Sequence, residues 1–190
     1  MYELIQLSER TYYIKSPTNI GLVKLDDKNV CLIDSGNDKD AGRKIRQILD
    51  ANGWNLTAIY NTHSNADHIG GNRYLQNQTG CKIYAPGIDC AFTRHPVLEP
   101  SFLYGGFPPK DLRCKFLLAQ ESDAQELTEQ NLPDGFEIIK LPGIFLIWSD
   151  SARVMTWFFL PTAFQAGKFW TNIRLDLSTM SPPICRRSKW

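Results

Sequence analysis

The 190-residue chain has little that would tie it to a polymer, a membrane or an oxidising compartment. Its five cysteines (Cys31, Cys81, Cys90, Cys114 and Cys185) are odd in number and widely spaced, with no C-x-x-C pair. They read as reduced thiols, several of them small core residues, rather than as a disulfide framework. No apolar run reaches the length of a membrane span. The nearest, MTWFFLPTAF, is too short and contains Pro161. The longer MTWFFLPTAFQAGKFW lacks the basic face that a membrane-surface helix needs. The formal net charge is +1, and no basic run breaks the first three-quarters of the chain, which argues against nucleic acid and anionic membranes as partners. MYELIQLSERTYYI has neither the basic start nor the apolar centre of a secretory signal. Together these absences predict a single cytoplasmic domain.

What is present alternates between strand and helix patterns, so the expected fold class is α/β. YYIKSPTNIGLVKLDDKNVCLIDSG reads as strands, with D-D-K-N at 26–29 as turn chemistry and Asp34-Ser35-Gly36 at the end. A helix is expected next. Asn37 or Asp38 caps it, Ala41, Ile45, Ile48 and Leu49 share one face, and Gly53 stops it. LTAIYNTHSN is a buried strand running into a loop. A short helix then ends near Gly80, CKIYAP is a strand, and IDCAFTRHP supplies a helical turn or two. LEPSFLYGGFPPKDLR reads as a cleft-lining loop, ESDAQELTEQNLPDG as an acidic solvated connection, and FEIIKLPG as a strand.

The chemistry concentrates in N-T-H-S-N-A-D-H-I-G-G-N at 61–72. His63, Asn65, Asp67 and His68 stand at i, i+2, i+4 and i+5 of a loop beyond a strand's C-terminal end, where α/β proteins place their chemistry. A tight loop with that spacing can turn several side chains toward one point, and a divalent metal needs three or four such donors. Gly70 and Gly71 let a helix begin close against the loop. Taken singly, His63 or His68 would be an ordinary surface or core histidine, and Asp67 a helix cap. Clustered at a strand exit, they point to a metal.

The run T-H-S-N-A-D-H-I-G-G at 62–71 resembles the signature T-H-x-H-x-D-H-x-G-G of the metallo-β-lactamase superfamily. The strand ending I-D-S-G and the later L-P-G at 141–143 match in order and spacing. The resemblance covers residues 1–143 and implies an αββα sandwich with one or two metal ions at the sheets' edge. It implies zinc, with iron or manganese as alternatives, and hydrolysis of an ester, thioester or related bond of a small-molecule substrate by metal-bound hydroxide. By that match His63 serves a first metal position. Asp67 and His68 serve a second, Asp67 being the candidate catalytic residue, and Asp34 orients the loop from behind. Asn65 stands where the signature has its second histidine, and a neutral amide is a weak zinc ligand.

Two further ligands that the resemblance calls for are missing. Ile144 follows L-P-G in place of a histidine, and Pro161-Thr162 stand in the region of a bridging aspartate. From Ile144 the composition also changes. Trp148, Trp157, Trp170 and Trp190 lie there, and acidic residues fall to Asp150 and Asp176. A shifted reading frame explains both. One C restored between the codons of Gly143 and Ile144 lets residues 144–148 become H-F-S-D-M, and lets the sequence continue through an A-D-C to an amphipathic helix. The expected organisation is a metallo-β-lactamase-like portion at 1–143 and an out-of-frame tail at 144–190. The tail exposes apolar surface that favours self-association. The alternative to an impaired hydrolase is an inactive remnant or scaffold.

Overall fold

The computed structural model describes residues 2–114, 116–141 and 148–151. Seven strands form one mixed sheet in sequence order: β1 (Glu3–Gln6), β2 (Thr11–Lys15), β3 (Ile20–Lys24), β4 (Asn29–Ile33), β5 (Asn55–Tyr60), β6 (Lys82–Ala85) and β7 (Ala124–Glu126). Neighbours from β1 to β4 run antiparallel, and those from β4 to β7 run parallel. The change at β4 comes where the chain leaves hairpins for helical crossovers, as parallel strands require.

The crossovers follow their sequence signals. In α1 (Lys39–Asn52) Asp38 accepts from the Ala41 N–H at 3.0 Å, and Gly53 closes the helix at φ 67°. Ala41, Ile45 and Leu49 are buried, as their spacing predicts. Beyond β5 the expected short helix is α3 (Asn72–Thr79), which ends at left-handed Gly80, and a further helical turn, α2 (Ala66–Ile69), forms within the expected loop. The two meet at Gly70-Gly71. A Cβ on Gly70 would lie 2.3 Å from the Asn37 carbonyl carbon, and one on Gly71 would lie 2.4 Å from the Ser35 oxygen. The glycine pair is what lets α2 and α3 sit directly on the exit of β4 and the start of α1.

Helices α1 and α3 cover one face of the sheet, around Ile14, Leu22, Leu32, Ile45, Leu49, Ile59, Leu75 and Ile83. The opposite face carries Val23, Ile33, Ala58, Tyr60 and Tyr84, with Leu132 and Phe136 against them. A separate antiparallel pair joins β8 (Ile138–Leu141) to β9 (Trp148–Ser151). The rest of the expected second sheet, the tail from Ile144 and the reading-frame expectation fall on residues outside the described ones, apart from β9.

Two local readings differ from the structure, and one strand had no reading. LEPSF begins a helix, α5 (Leu98–Tyr104), rather than a loop. Only Glu99 and Pro100 of it are buried, so no apolar stripe announces it. The acidic connection contains β7, an edge strand that buries Ala124 and exposes Gln125 and Glu126. Edge strands tolerate such charge, and two exposed polar residues hide the period. The first strand, β1, has exposed ends and carried no strong signal either.

Candidate functional site

Loop 61–68 leaves the C-terminal end of β5 and returns through α2. Its anchor is Asp34, just past β4, fully buried and in the left-handed region at φ 62°. That conformation, tolerated by aspartate better than by most residues, accompanies a carboxylate engaged three times with the loop. Oδ1 accepts from the Thr62 N–H at 2.8 Å. Oδ2 accepts from the Thr62 hydroxyl at 2.7 Å and faces His68 Nδ1 at 2.7 Å.

These bonds assign the histidine protons. An ionised carboxylate only accepts, so His68 Nδ1 carries hydrogen. The Thr62 hydroxyl has one hydrogen, given to Asp34, so its contact with His63 Nδ1 at 2.8 Å makes that nitrogen a donor too. In both rings the Nδ1 position is thus used for orientation. The two rings lie 4.0 Å apart between centroids, tilted by 49°. His68 Nε2 is 3.7 Å from Asp67 Oδ2.

The electrostatics follow from burial and from this contact. Burial and the neighbouring His68 push His63 down to about 4, with Asp34 and Asp67 opposing, so His63 is a neutral imidazole near pH 7. Burial would lower His68 as well, but Asp34, Asp67 and Glu99 outweigh it and raise its pKa. Burial likewise works to raise Asp34. The His68 and His63 imidazoles and the Thr62 N–H reverse that and hold it below the usual carboxylate range.

Thus the structure brings together four of the residues singled out in the sequence: Asp34, His63, Asp67 and His68. It takes Asn65 elsewhere. The Asn65 amide nitrogen donates to Glu99 Oε1 at 2.8 Å. Among the described residues no group of three His, Cys, Asp or Glu side chains is arranged to hold a metal ion. The donor chemistry of His63, Asp67 and His68 therefore fits part of a metal shell and does not complete one. The remaining histidine, His95, ends α4 (Asp89–Arg94) and is exposed.

Two buried acids escaped the sequence reading. Asp89 Oδ1 accepts from the Ser64 N–H at 3.0 Å and from its hydroxyl at 2.6 Å. Glu99 Oε2 accepts from the Ala66 N–H at 3.1 Å. Burial raises the pKa of both, Glu99 to about 7, against the bonds they accept. Neither sits in a local motif. A signal available beforehand was a second buried carboxylate requirement: the exposed-looking loop has N–H groups at 64 and 66 that need acceptors.

Comparison with known proteins gives the lineage. Residues 14–161 match the family model described as the metallo-beta-lactamase superfamily, a match that runs past Gly143. A hydroxyacylglutathione hydrolase of Methylococcus capsulatus is 42% identical over 55 residues, 25% of this chain and 22% of that protein. The chain thus matches about a fifth of that relative's length. Among solved structures, a Cronobacter sakazakii metallo-beta-lactamase with a HARLDQ motif superposes with TM-score 0.57 at 17% identity, covering 78% of this chain and 58% of that one. The subclass B3 enzyme BJP-1 of Bradyrhizobium japonicum superposes with TM-score 0.51 at 21% identity, covering 73% and 48%. At such identities the superpositions establish the fold alone. No helix among the described residues is long and apolar enough to cross a membrane.

Proposed function

This chain belongs to the metallo-beta-lactamase superfamily, and on that premise we propose that it carries the ligand loop of a metal-dependent hydrolase acting on a thioester or ester. The observation that carries the reading is the Asp34–His68 contact at 2.7 Å, a buried carboxylate fixing a candidate ligand's ring. Carboxylate–imidazole pairs of this kind set the tautomer and orientation of metal-bound histidine and raise its basicity. His63, Asp67 and His68 would hold the ion, for which zinc is the first choice on family grounds, with iron or manganese as alternatives. When bound, such an ion lowers the pKa of a water molecule to near neutral and polarises a substrate carbonyl.

The chain's own groups do the rest. Asp34 and Thr62 fix both Nδ1 positions, so each imidazole turns its Nε2 edge away from the anchor. His63, neutral near pH 7, needs no proton removed before it binds an ion. Asp67 is half-exposed beside His68, where a substrate and a proton can reach its carboxylate, and it is the candidate catalytic residue. Curated relatives carry the name hydroxyacylglutathione hydrolase, which favours a hydroxyacyl thioester of a small thiol peptide as substrate class.

A second reading, an inactive remnant, is favoured by Asn65, whose amide is turned to Glu99 in the position of the signature's second histidine. Metal analysis after dialysis, with a thioester hydrolysis assay in added Zn²⁺, separates the two. Retained metal with turnover supports the hydrolase. Metal-free, inactive but folded protein supports the remnant.

A further inference from the structure

Three buried carboxylates from three separate places hold loop 62–68. Asp34 takes Thr62 and His68, Asp89 takes Ser64, and Glu99 takes Asn65 and Ala66. The third has the least expected geometry. Asn65 occupies the cap position of α2, with φ −61° and ψ 142°, yet its side chain makes no capping bond. Glu99 caps the helix instead, from 33 residues away.

We propose that Glu99 is a positioning residue of the site: its carboxylate sets where residues 65–67 lie, and it selects a hydrogen-bond-donating side chain at position 65. Glu99 is 3% exposed, so water does not compete for its bonds. Its two oxygens face two different donors, the Asn65 amide at 2.8 Å and the Ala66 N–H at 3.1 Å. A carboxylate accepts from both at once, whereas glutamine at 99 presents one oxygen and one NH2, and keeps the Ala66 bond only if residue 65 turns an acceptor toward it. The Ala66 peptide leads directly into Asp67. The Asp67 side chain is half-exposed, and among the described residues its other polar contact is a long one from the Thr18 hydroxyl at 3.4 Å. The direction of Asp67 toward His68 is therefore inherited from the backbone that Glu99 holds. At position 65 the same oxygen would meet an imidazole N–H, in the way Asp34 meets His68. This deepens the metal reading above, and only the metal arm of its test rests on that reading.

The test uses the full chain as wild type, Glu99→Gln, Glu99→Leu, Asn65→His and the Asn65→His, Glu99→Gln double variant, with circular dichroism checking that each is folded. Co²⁺ is the metal probe, because its visible spectrum reports coordination. Glu99→Gln should weaken Co²⁺ binding by about tenfold or more and alter that spectrum, in line with the usual cost of losing a ligand-orienting partner. Asn65→His should tighten binding with Glu99 present and lose most of that gain with Glu99→Gln. An equal gain in both backgrounds, or an unaltered spectrum and affinity in Glu99→Leu, which offers neither acceptor, overturns the proposal. A metal-free arm follows the imidazole introduced by Asn65→His by ¹⁵N NMR. One ring N–H should be hydrogen-bonded and slow to exchange, and Glu99→Gln should abolish this; indifference to Glu99→Gln overturns the proposal. If no form binds Co²⁺, the metal reading fails and the NMR arm alone decides the role of Glu99. Should Glu99→Gln not fold, Glu99→Asp keeps the charge but shortens its reach by one methylene. Weaker Co²⁺ binding by Glu99→Asp then supports the proposal, and unchanged binding overturns it.

Discussion

Asp34 Oδ2 lies 2.7 Å from His68 Nδ1 across 34 residues of sequence, and the same oxygen takes the Thr62 hydroxyl. One buried carboxylate thereby couples the exit of β4 to both ends of the ligand loop. Asp34→Asn keeps the shape but offers a neutral amide to three donors. It should lower metal affinity by about 10–100-fold. Asp34→Ala leaves those donors unpaired in the interior and should cost about 3–5 kcal/mol in urea unfolding, the range for removing one partner of a buried pair.

The two histidines should shape the pH dependence of the metal-free protein in opposite directions. His63 sits at about 4 when folded and near 6.5 when unfolded. Between those values the unfolded chain binds a proton that the folded chain does not, so stability falls as pH drops through that window. Relative to His63→Gln, wild type should lose stability on acidification from about pH 6.5 toward 4. His68 is shifted upward. Its contribution is fully present below about 6.5 and is lost as pH rises through the folded value. The wild-type advantage over His68→Gln should accordingly shrink on the alkaline side. Urea unfolding of the three forms in chelator, from about pH 4.5 to 8.5, checks both slopes. Parallel curves would contradict the assignment.

Gly70 and Gly80 offer a contrast between crowding and conformation. A Cβ at Gly70 meets the Asn37 backbone at 2.3 Å, whereas Gly80, at φ 69°, has nothing within 4 Å. Gly80→Ala should cost only the left-handed penalty, about 1–2 kcal/mol. Gly70→Ala must push α2 off the β4 exit, costing about 3 kcal/mol or more and disturbing the His68 ring. Thermal unfolding ranks the two, and a reversed order would contradict the close approach.

The glycine pair, Asp34 and the clustering of His63, Asp67 and His68 were legible because each is a local pattern whose spacing reaches one place. Helix α1 was legible for the same reason, through its cap, its stripe and its terminal glycine. Glu99 and Asp89 were not. Their partners lie 33–34 and 25 residues away, and a glutamate beside a proline ordinarily reads as solvated surface. Only the fold, by laying α4 and α5 against the loop, turns those acids inward. β7 was hidden by its edge position, where Gln125 and Glu126 face solvent.

Loop 61–68 is short of donors for a metal. With Asn65 committed to Glu99, residues 61–68 offer His63, Asp67 and His68, and a hydrolytic zinc site needs a full inner shell with one open position. The remaining donors must come from elsewhere in the chain. The family resemblance puts a histidine directly after L-P-G, where this sequence has Ile144. We therefore expect the chain to retain zinc weakly and below one equivalent after dialysis. A gene with one C restored after the Gly143 codon should yield a protein that keeps zinc through that histidine and the later aspartate, and that hydrolyses an activated thioester. Asn65→His should strengthen the repaired chain more than the original, since an added donor closes a shell only when the others are present. Elemental analysis and thioester turnover on the three proteins check this. Two tightly held ions in the original chain would mean that residues 144–190, as written, supply ligands of their own, and would overturn the reading-frame explanation.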